Sequence, residues 1–348
     1  MATFHKVNIK EIQQETANAV SVLFDIPQNL SSEFNFTAGQ YITLQKVING
    51  EEIRRAYSIC STPKSGEVRV AIKAVENGTF SVFATSKLKT ADEIEISAPE
   101  GRFTLSPEEN KNYIGFAAGS GITPIISMVK TVLESENSST FTLIYGNKSE
   151  KDTIFFNELN SLKGQYSERF NLHYIYSKEE VKNELQGRIN ENVTNYILKN
   201  RYQETSFDAA FLCGPEEMIK EVSTTLEKNS IAKNNIHFEL FTASIDEAAA
   251  SEVKEGTTEI TVLLDDEETT FVMQQTDDIL AASLRNNLDA PYSCQGGVCS
   301  SCLCKVTEGK AVMVKNSILD DDEIEEGLVL ACQAHPTTSK IVIDFDDV

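Results

Sequence analysis

Cys294, Cys299 and Cys302 are spaced C-x4-C-x2-C, and a fourth cysteine, Cys332, follows after 29 intervening residues. Four thiolates at that spacing match the ligand set of a plant-type [2Fe–2S] cluster. The x4 gap is too long for the C-x2-C pair of a zinc knuckle. No histidine stands in a ligand position, so a Rieske centre is excluded. In the loop SCQGGVCSSC, residues 293–302, Gly296 and Gly297 are expected to let the backbone fold tightly around an inorganic core, because a residue without Cβ tolerates positive φ. Cys60, in an apolar run, reads as a buried and inert thiol. Cys304 reads as a strand residue packed beneath the loop.

Other groups suit a nucleotide and a flavin. Arg55-Ala56-Tyr57-Ser58 offers a guanidinium fork for a phosphate, a flat ring for stacking, and a hydroxyl near a flavin nitrogen. The alternative for Arg55 is a pair with a surface carboxylate. Gly78-Thr79-Phe80-Ser81 opens a helix whose free N–H groups suit a pyrophosphate, or else forms an ordinary capped turn. Gly119-Ser120-Gly121-Ile122-Thr123-Pro124 follows a strand directly. Its glycines let a phosphate approach the backbone, Thr123 is expected as the helix N-cap, and Pro124 suits the first helical position. It is not the G-x-G-x-x-G fingerprint. Cys213-Gly214-Pro215 closes a later strand at the carboxyl edge, where sheets of this kind bind ligands.

The elements that must hold these groups follow from periodicity. Residues 1–107 alternate apolar and polar in short runs such as Val20–Phe24, Tyr41–Leu44 and Val68–Ile72, which predicts an all-β barrel or sandwich. Residues 108–242 switch to strand then helix. Tyr113–Ala117, Phe141–Tyr145, Leu172–Tyr176 and Ala209–Cys213 are compact apolar strands. Ile122, Ile125, Ile126, Val129, Val132 and Leu133 recur at helical spacing, as do Met218, Ile219, Val222 and Leu226. Alternating β and α units predict a doubly wound parallel sheet. Residues 243–258 are small and acidic and read as a linker. Residues 259–348 give a hairpin, a short helix capped by Asp277 or Asp278, and the cysteine loop, the order of a β-grasp domain.

Charge sets limits on partners. The net charge of −22 argues against nucleic acid. Residues 257–348 hold 18 Asp/Glu against 5 Lys/Arg, while residues 1–256 hold 35 against 26. The cysteine-rich quarter thus carries most of the net charge. Such a surface either docks on a basic partner, with electrostatic steering, or merely keeps the domain in solution. No apolar run approaches the ~18 residues of a membrane span. With cysteines concentrated at a cluster and no leader pattern in MATFHKVNIKEIQQE, the expected location is cytoplasmic. His5, His173, His237 and His335 show no metal spacing and no Glu-x-x-His occurs, so substrate oxidation would belong to another polypeptide.

R-x-Y-S, G-x-x-S, GSGITP and CGP, in that order, resemble the ferredoxin–NADP reductase superfamily, here with a C-terminal plant-type ferredoxin. The run Ile236–Phe241 is similar to the usual end of that reductase module. CQGGVCSSCLCKVTEGK and LACQAHPTTSKIVIDFDD are similar to the reductase subunits of phenylacetyl-CoA epoxidases, and steroid hydroxylase reductases share the domain order. The resemblance implies that residues 1–107 form an antiparallel β-barrel, with FAD held by Arg55, Tyr57 and Ser58 and its pyrophosphate by Gly78 and Ser81. It implies a nicotinamide nucleotide at Gly119, Gly121, Thr123, Gly214 and Pro215, with Cys213 facing the nicotinamide and Ser58 beside the reacting flavin. Glu239 and Phe241 would lie near both rings, with Phe241 covering part of the flavin. Many relatives carry Arg where this chain has Lys148, and a Ser-Arg pair where it has Ser177-Lys178. Both positions stay basic, and neither strand end is expected to offer a carboxylate for a free 2′-hydroxyl, so NADPH is favoured over NADH. The implied route runs from NADPH through FAD and the [2Fe–2S] cluster to an oxygenase component. Alternatives are a reductase of a Rieske or steroid hydroxylase and, from another class, a redox-sensing module. A sensor would not need both a flavin and a nicotinamide site.

Overall fold

The computed structural model describes residues 3–135, 138–182 and 184–348; Met1 and Ala2 of the N-terminal run lie outside them. The chain forms two compact units, Phe4–Phe241 and Thr242–Val348.

The first unit opens with an antiparallel sheet of β1 (Phe4–Thr16), β2 (Ala19–Asp25), β3 (Tyr41–Ile48), β4 (Glu51–Ser58), β5 (Arg69–Lys73) and β6 (Glu93–Ser97). Its strand order is β4-β3-β6-β1-β2-β5, and an antiparallel bridge between Ile59 and Val70 links the two ends. The sheet therefore closes as a barrel around Val22, Ile42, Leu44, Ile72 and Ile96, each without exposed surface. Helix α1 (Thr79–Ser86) plugs the barrel with Phe80 and Ala84.

The same unit continues with β7 (Asn112–Ala118), α2 (Ile122–Ser135), β8 (Thr140–Asn147), α3 (Phe156–Gln165), β9 (Phe170–Tyr176), β10 (Leu185–Gln186), α4 (Glu191–Tyr196), β11 (Ala209–Cys213), α5 (Glu216–Lys228) and β12 (Ile236–Glu239). All pairings are parallel, in the order β10-β9-β8-β7-β11-β12. The order reverses between β7 and β11, and ligands of open α/β sheets bind at such a switch point, outside the carboxyl ends of the strands. The helical apolar residues expected from the sequence, Ile122 through Leu133 on α2, are all buried against this sheet.

The second unit contains α6 (Glu247–Glu252), β13 (Thr257–Leu264), β14 (Glu267–Gln274), α7 (Ile279–Arg285), β15 (Leu303–Glu308), β16 (Ala311–Met313), α8 (Asp321–Glu325), β17 (Leu328–Leu330), β18 (Ala334–Pro336) and β19 (Lys340–Asp344). Five strands form a mixed sheet, β14-β13-β19-β15-β17, in which β13 and β19 run parallel. Helix α7 buries Ile279, Leu280 and Ala282 in the core this sheet shares with β15 and β19, the β-grasp arrangement. Asp278, not Asp277, caps α7, accepting from Ala281 N–H at 2.7 Å; Asp277 instead pairs with Arg285. The stretch that reads as a linker is partly ordered. Asp246 caps α6, and its own N–H donates to Val314 O at 2.8 Å.

Candidate functional site

The switch point is built from close backbone approach. After β7 the chain turns through Gly119, at φ +55°, into a short 3-10 turn and then α2. A Cβ on Gly121 would stand 2.1 Å from the Cys213 carbonyl oxygen, so only glycine lets this turn pass against the end of β11. A Cβ on Gly214 would meet Met218 at 2.6 Å and Ala118 at 3.1 Å. The two glycine motifs, remote in sequence, are thus halves of one packed corner. Tyr145 Oη donates to Gly119 O at 2.9 Å and fixes the turn from β8. Thr123 is not the N-cap expected from the sequence. It lies inside α2, buried, and its hydroxyl donates back to Ser120 O at 3.0 Å, because the 3-10 turn of Gly119–Gly121 already starts the helix. Pro215 stands at the N-cap of α5, and Glu216 and Glu217 fill its first turn.

Cys213 ends β11 in register with Glu239 at the end of β12. Its side chain is fully buried, and burial, helped by the Glu239 carboxylate, pushes the thiol well above its usual range. The sulfur therefore stays protonated. Ser58, from the barrel, donates to Glu239 Oε2 at 3.1 Å. Ser58, Cys213 and Glu239 converge although the first and last are 181 residues apart.

Around them lie the remaining expected residues. Arg54, not Arg55, takes the carboxylate, pairing with Glu52 at 3.0 Å. Arg55 donates only to the neighbouring Arg54 carbonyl, and no carboxylate pairs with it among the described residues. Tyr57 packs on Phe80 of α1 with ring centroids 5.7 Å apart, and burial raises its phenol pKa. At Gly78 a Cβ would meet Ser81 Oγ at 2.4 Å and Val75 at 2.5 Å. Ser81 Oγ accepts from Val75 N–H at 3.2 Å, so its hydroxyl closes the turn. The helix has no side-chain cap, and its first main-chain bond comes from Val82 N–H, which leaves the N–H groups of residues 79–81 available. Phe241, the last residue of this unit, is exposed.

Lys148 and Lys178 follow adjacent strands, and Lys178 N–H donates to Lys148 O at 2.9 Å. Both are exposed. The expectation that no carboxylate lies there needs correction, because Glu179 follows Lys178 directly. Glu179 reaches the same edge, but its carboxylate accepts from Glu150 N–H at 2.8 Å. One residue the motifs do not reveal is Lys73, at the end of β5. Its Nζ lies 3.6 Å from where a Gly119 Cβ would be, and burial, then Lys148, lowers its pKa, opposed by Asp152. A single lysine ending a strand has no sequence signature; only closure of the barrel against the nucleotide sheet brings it to the turn.

In the second unit the four thiols come together. Cys299 and Cys294 have sulfurs 3.1 Å apart, and Cys332 lies within hydrogen-bonding reach of Cys294 and Cys302. The thiols form a chain of contacts, and among the described residues no group has the geometry for a single metal ion. The donor set, four cysteines and no histidine, fits a [2Fe–2S] cluster. Gly296 N–H donates to Cys294 Sγ at 3.3 Å. The positive φ expected at both glycines falls instead on Gly297 (+72°) and Gln295 (+51°). Gly296 is not forced, since its added Cβ would find only ordinary contact at 3.7 Å, whereas one on Gly297 would meet Lys315 O at 2.6 Å. Cys304 is buried on β15 as expected, its pKa raised by burial. Cys60 donates to Arg69 O, and burial pushes its thiol up to about 12.

A closed barrel, a parallel sheet with a glycine corner at its switch point and a β-grasp unit with four gathered thiols have the make-up of a modular electron-transfer reductase. Three families match in the same order: the oxidoreductase FAD-binding domain over residues 6–105, the oxidoreductase NAD-binding domain over 116–224, and the 2Fe-2S iron-sulfur cluster binding domain over 262–337. A component of the 1,2-phenylacetyl-CoA epoxidase of Escherichia coli (strain K12) is 38% identical over 99% of both chains. The ferredoxin reductase component of 3-ketosteroid-9-alpha-monooxygenase from Rhodococcus rhodochrous is 29% identical over 97% of this chain and 96% of its own. Phthalate dioxygenase reductase shares the fold, with a TM-score of 0.64, 23% identity and 98% of each chain covered. The chain belongs to the family of FAD- and [2Fe–2S]-binding reductase components of multicomponent oxygenases that includes this phenylacetyl-CoA epoxidase component.

Proposed function

We propose that this reductase takes electrons from NADPH and supplies a phenylacetyl-CoA epoxidase. The whole-length 38% identity to a component of that enzyme carries the choice of acceptor. When bound, FAD accepts a hydride as an electron pair, and the [2Fe–2S] cluster takes electrons singly. The chain's own residues hold, orient and shield these groups. Arg55, which no carboxylate pairs among the described residues, would receive the FAD phosphates together with the N–H groups of residues 79–81 at the start of α1. Tyr57 would lie along the flavin, and Phe241 would cover part of it. Gly119, Gly121, Thr123, Gly214 and Pro215 form the corner that receives the nicotinamide nucleotide, with Lys73 facing its charge. Cys213 borders the nicotinamide as a neutral, buried thiol, and Ser58 holds Glu239 between the two rings. Lys148 and Lys178, exposed at adjacent strand ends, favour a 2′-phosphate as point charges. Cys294, Cys299, Cys302 and Cys332 ligate the cluster. None of the seven cysteines is in a disulfide, which suits the cytoplasm. Among the described residues no helix is long and apolar enough to cross a membrane.

The test combines the loaded reductase with purified epoxidase catalytic subunits and phenylacetyl-CoA. Epoxide formed in step with NADPH oxidation is the expected result. NADPH oxidation with a dye acceptor but none with the epoxidase, together with activity on a 3-ketosteroid hydroxylase, would move the acceptor to that second class, which the 29% identity to its reductase favours.

A further inference from the structure

The loop 293–302 contains no regular secondary structure, so its shape depends on ties from outside. Ser317 and Gln333 hold its main chain at Gly297 and Gln295. Ser317 donates to Gly297 O from both its N–H, at 3.0 Å, and its hydroxyl, at 3.1 Å. Gln333 Nε2 donates to Gln295 O at 3.1 Å. Gln333 follows the last ligand, Cys332, and Gln295 follows the first, Cys294. The bond joins residues 38 apart in the chain. Gln295 holds φ +51°, a conformation that residues with a Cβ rarely adopt and keep only where their surroundings enforce it.

Gln333 is itself firmly placed. Its side chain is buried, its N–H donates to Leu330 O at 2.9 Å, and its C=O accepts from Val314 N–H at 3.0 Å. On the same segment Ala331 N–H donates to Cys302 O at 2.9 Å, and Ala331 O accepts from Leu280 N–H at 3.0 Å. Val314 O in turn receives Asp246 N–H. The amide of Gln333 therefore reaches the loop from a fixed frame.

We propose that Gln333 is a positioning residue for the iron–sulfur site: its amide pins Gln295 in the left-handed conformation and so holds Cys294 beside Cys332. It does not touch the irons. It keeps two ligands from distant parts of the chain in register, so that the loop needs less ordering when the cluster is inserted and opens less readily afterwards. The inference rests on the cluster assignment alone and is independent of the acceptor.

The test uses the full-length holoprotein and two kinds of variant. Gln333→Met keeps the length and apolar stem but cannot donate; Gln295→Gly removes the need for enforcement. Cluster loss is followed in excess chelator by visible absorbance, and the reduced cluster by electron paramagnetic resonance. Gln333→Met is expected to lose its cluster roughly fivefold to tenfold faster, the size of one net hydrogen bond, with a changed resonance signal and unchanged flavin reduction by NADPH. Adding Gln295→Gly should restore most of the lifetime. A Gln333→Met protein with wild-type lifetime and signal would overturn the proposal. So would a Gln333→Met/Gln295→Gly protein as labile as the single variant. If Gln333→Met yields no folded holoprotein, Gln333→Glu, whose carboxylate cannot donate, takes its place under the same criteria.

Discussion

Ser58 and Glu239 stand 181 residues apart in the chain and 3.1 Å apart in space, whereas three of the four thiols proposed to hold the cluster share the ten residues from 293 to 302. The two sites are assembled in opposite ways. The proposed flavin and nucleotide site is made by topology: a barrel strand, two sheet ends and two glycine turns meet because the sheet order reverses between β7 and β11. The cluster site is made by a local loop, with Cys332 brought in by β17 and held by side-chain and main-chain ties. A site built by topology is rigid where glycine permits backbone contact. A site built on a loop depends on the few hydrogen bonds that hold the loop. Mutations should therefore damage each site through different atoms and leave the other intact.

The largest expected effect is at a ligand. Cys299→Ser should remove or cripple the cluster and lower turnover with a one-electron acceptor by more than ~100-fold, beyond the ~10–100-fold typical of changes around metal ligands. Flavin reduction by NADPH should persist, since the cysteine loop lies in a separate compact unit. Stopped-flow absorbance reads both steps in one sample. Collapse of flavin reduction together with the cluster would remove the contrast between the sites.

Glycine substitutions sharpen it. Gly121→Ala forces a methyl 2.1 Å from the Cys213 carbonyl, an overpacking that costs on the order of 1–3 kcal/mol and should raise KM for NADPH by roughly tenfold or more. The cluster spectrum should not change. Gly297→Ala should do the reverse, losing cluster and sparing NADPH binding, because it meets Lys315 O at 2.6 Å and strains a positive φ. Gly296→Ala should be near wild type in both. If Gly296→Ala and Gly297→Ala lost cluster equally, the assignment of strain to Gly297 and Gln295 would be wrong.

The contrast also explains what is legible in the sequence. C-x4-C-x2-C is a local spacing, so the cluster shows at once, and the compact apolar runs at Tyr113, Phe141, Leu172 and Ala209 mark the parallel strands. The long β1 is marked only in its first half, where Val7 and Ile9 alternate with Lys6, Asn8 and Lys10, since Glu11, Gln13, Gln14 and Glu15 break the alternation beyond it. Thr123 looks like a cap only because the 3-10 turn before it depends on Tyr145 and Cys213, residues far along the chain. Residue type points to positive φ at Gly296, yet Gln295 carries it, because an amide 38 residues away can enforce what glycine would merely permit. Lys73 lacks any motif; its meaning comes from the turn it faces.

A smaller effect concerns coenzyme choice in the topological site. Lys148→Ala/Lys178→Ala should shift the ratio of kcat/KM for NADPH over NADH by ~10-fold, since exposed charge contacts are worth on the order of 1 kcal/mol together. Steady-state kinetics with both nucleotides checks it. An unchanged ratio, or a wild type already preferring NADH, would leave the corner of Gly119 and Cys213 in place and remove the two lysines from it.

The smallest expected effect isolates the first unit by pH. His173, on β9, meets Tyr202 Oη at 2.8 Å, and burial, with Arg201 and Lys163 adding to it, lowers its pKa to about 4. An unfolded histidine titrates near 6.5. Between those values the unfolded chain binds the proton and the folded one does not, so stability rises with pH there. The stabilisation is complete above about 6.5 and is progressively lost as pH falls toward about 4. His173→Gln keeps a polar group for Tyr202 but cannot titrate. Its melting temperature, read by release of flavin fluorescence, should fall less than that of wild type between pH 7 and 4.5. Absorbance of the cluster, which reports the second unit, should follow the same pH course in both proteins. Parallel flavin melting curves for wild type and His173→Gln would mean that the histidine is already solvated enough to protonate without cost, and β9 would then lose this link between its buried ring and the acid limit of the unit.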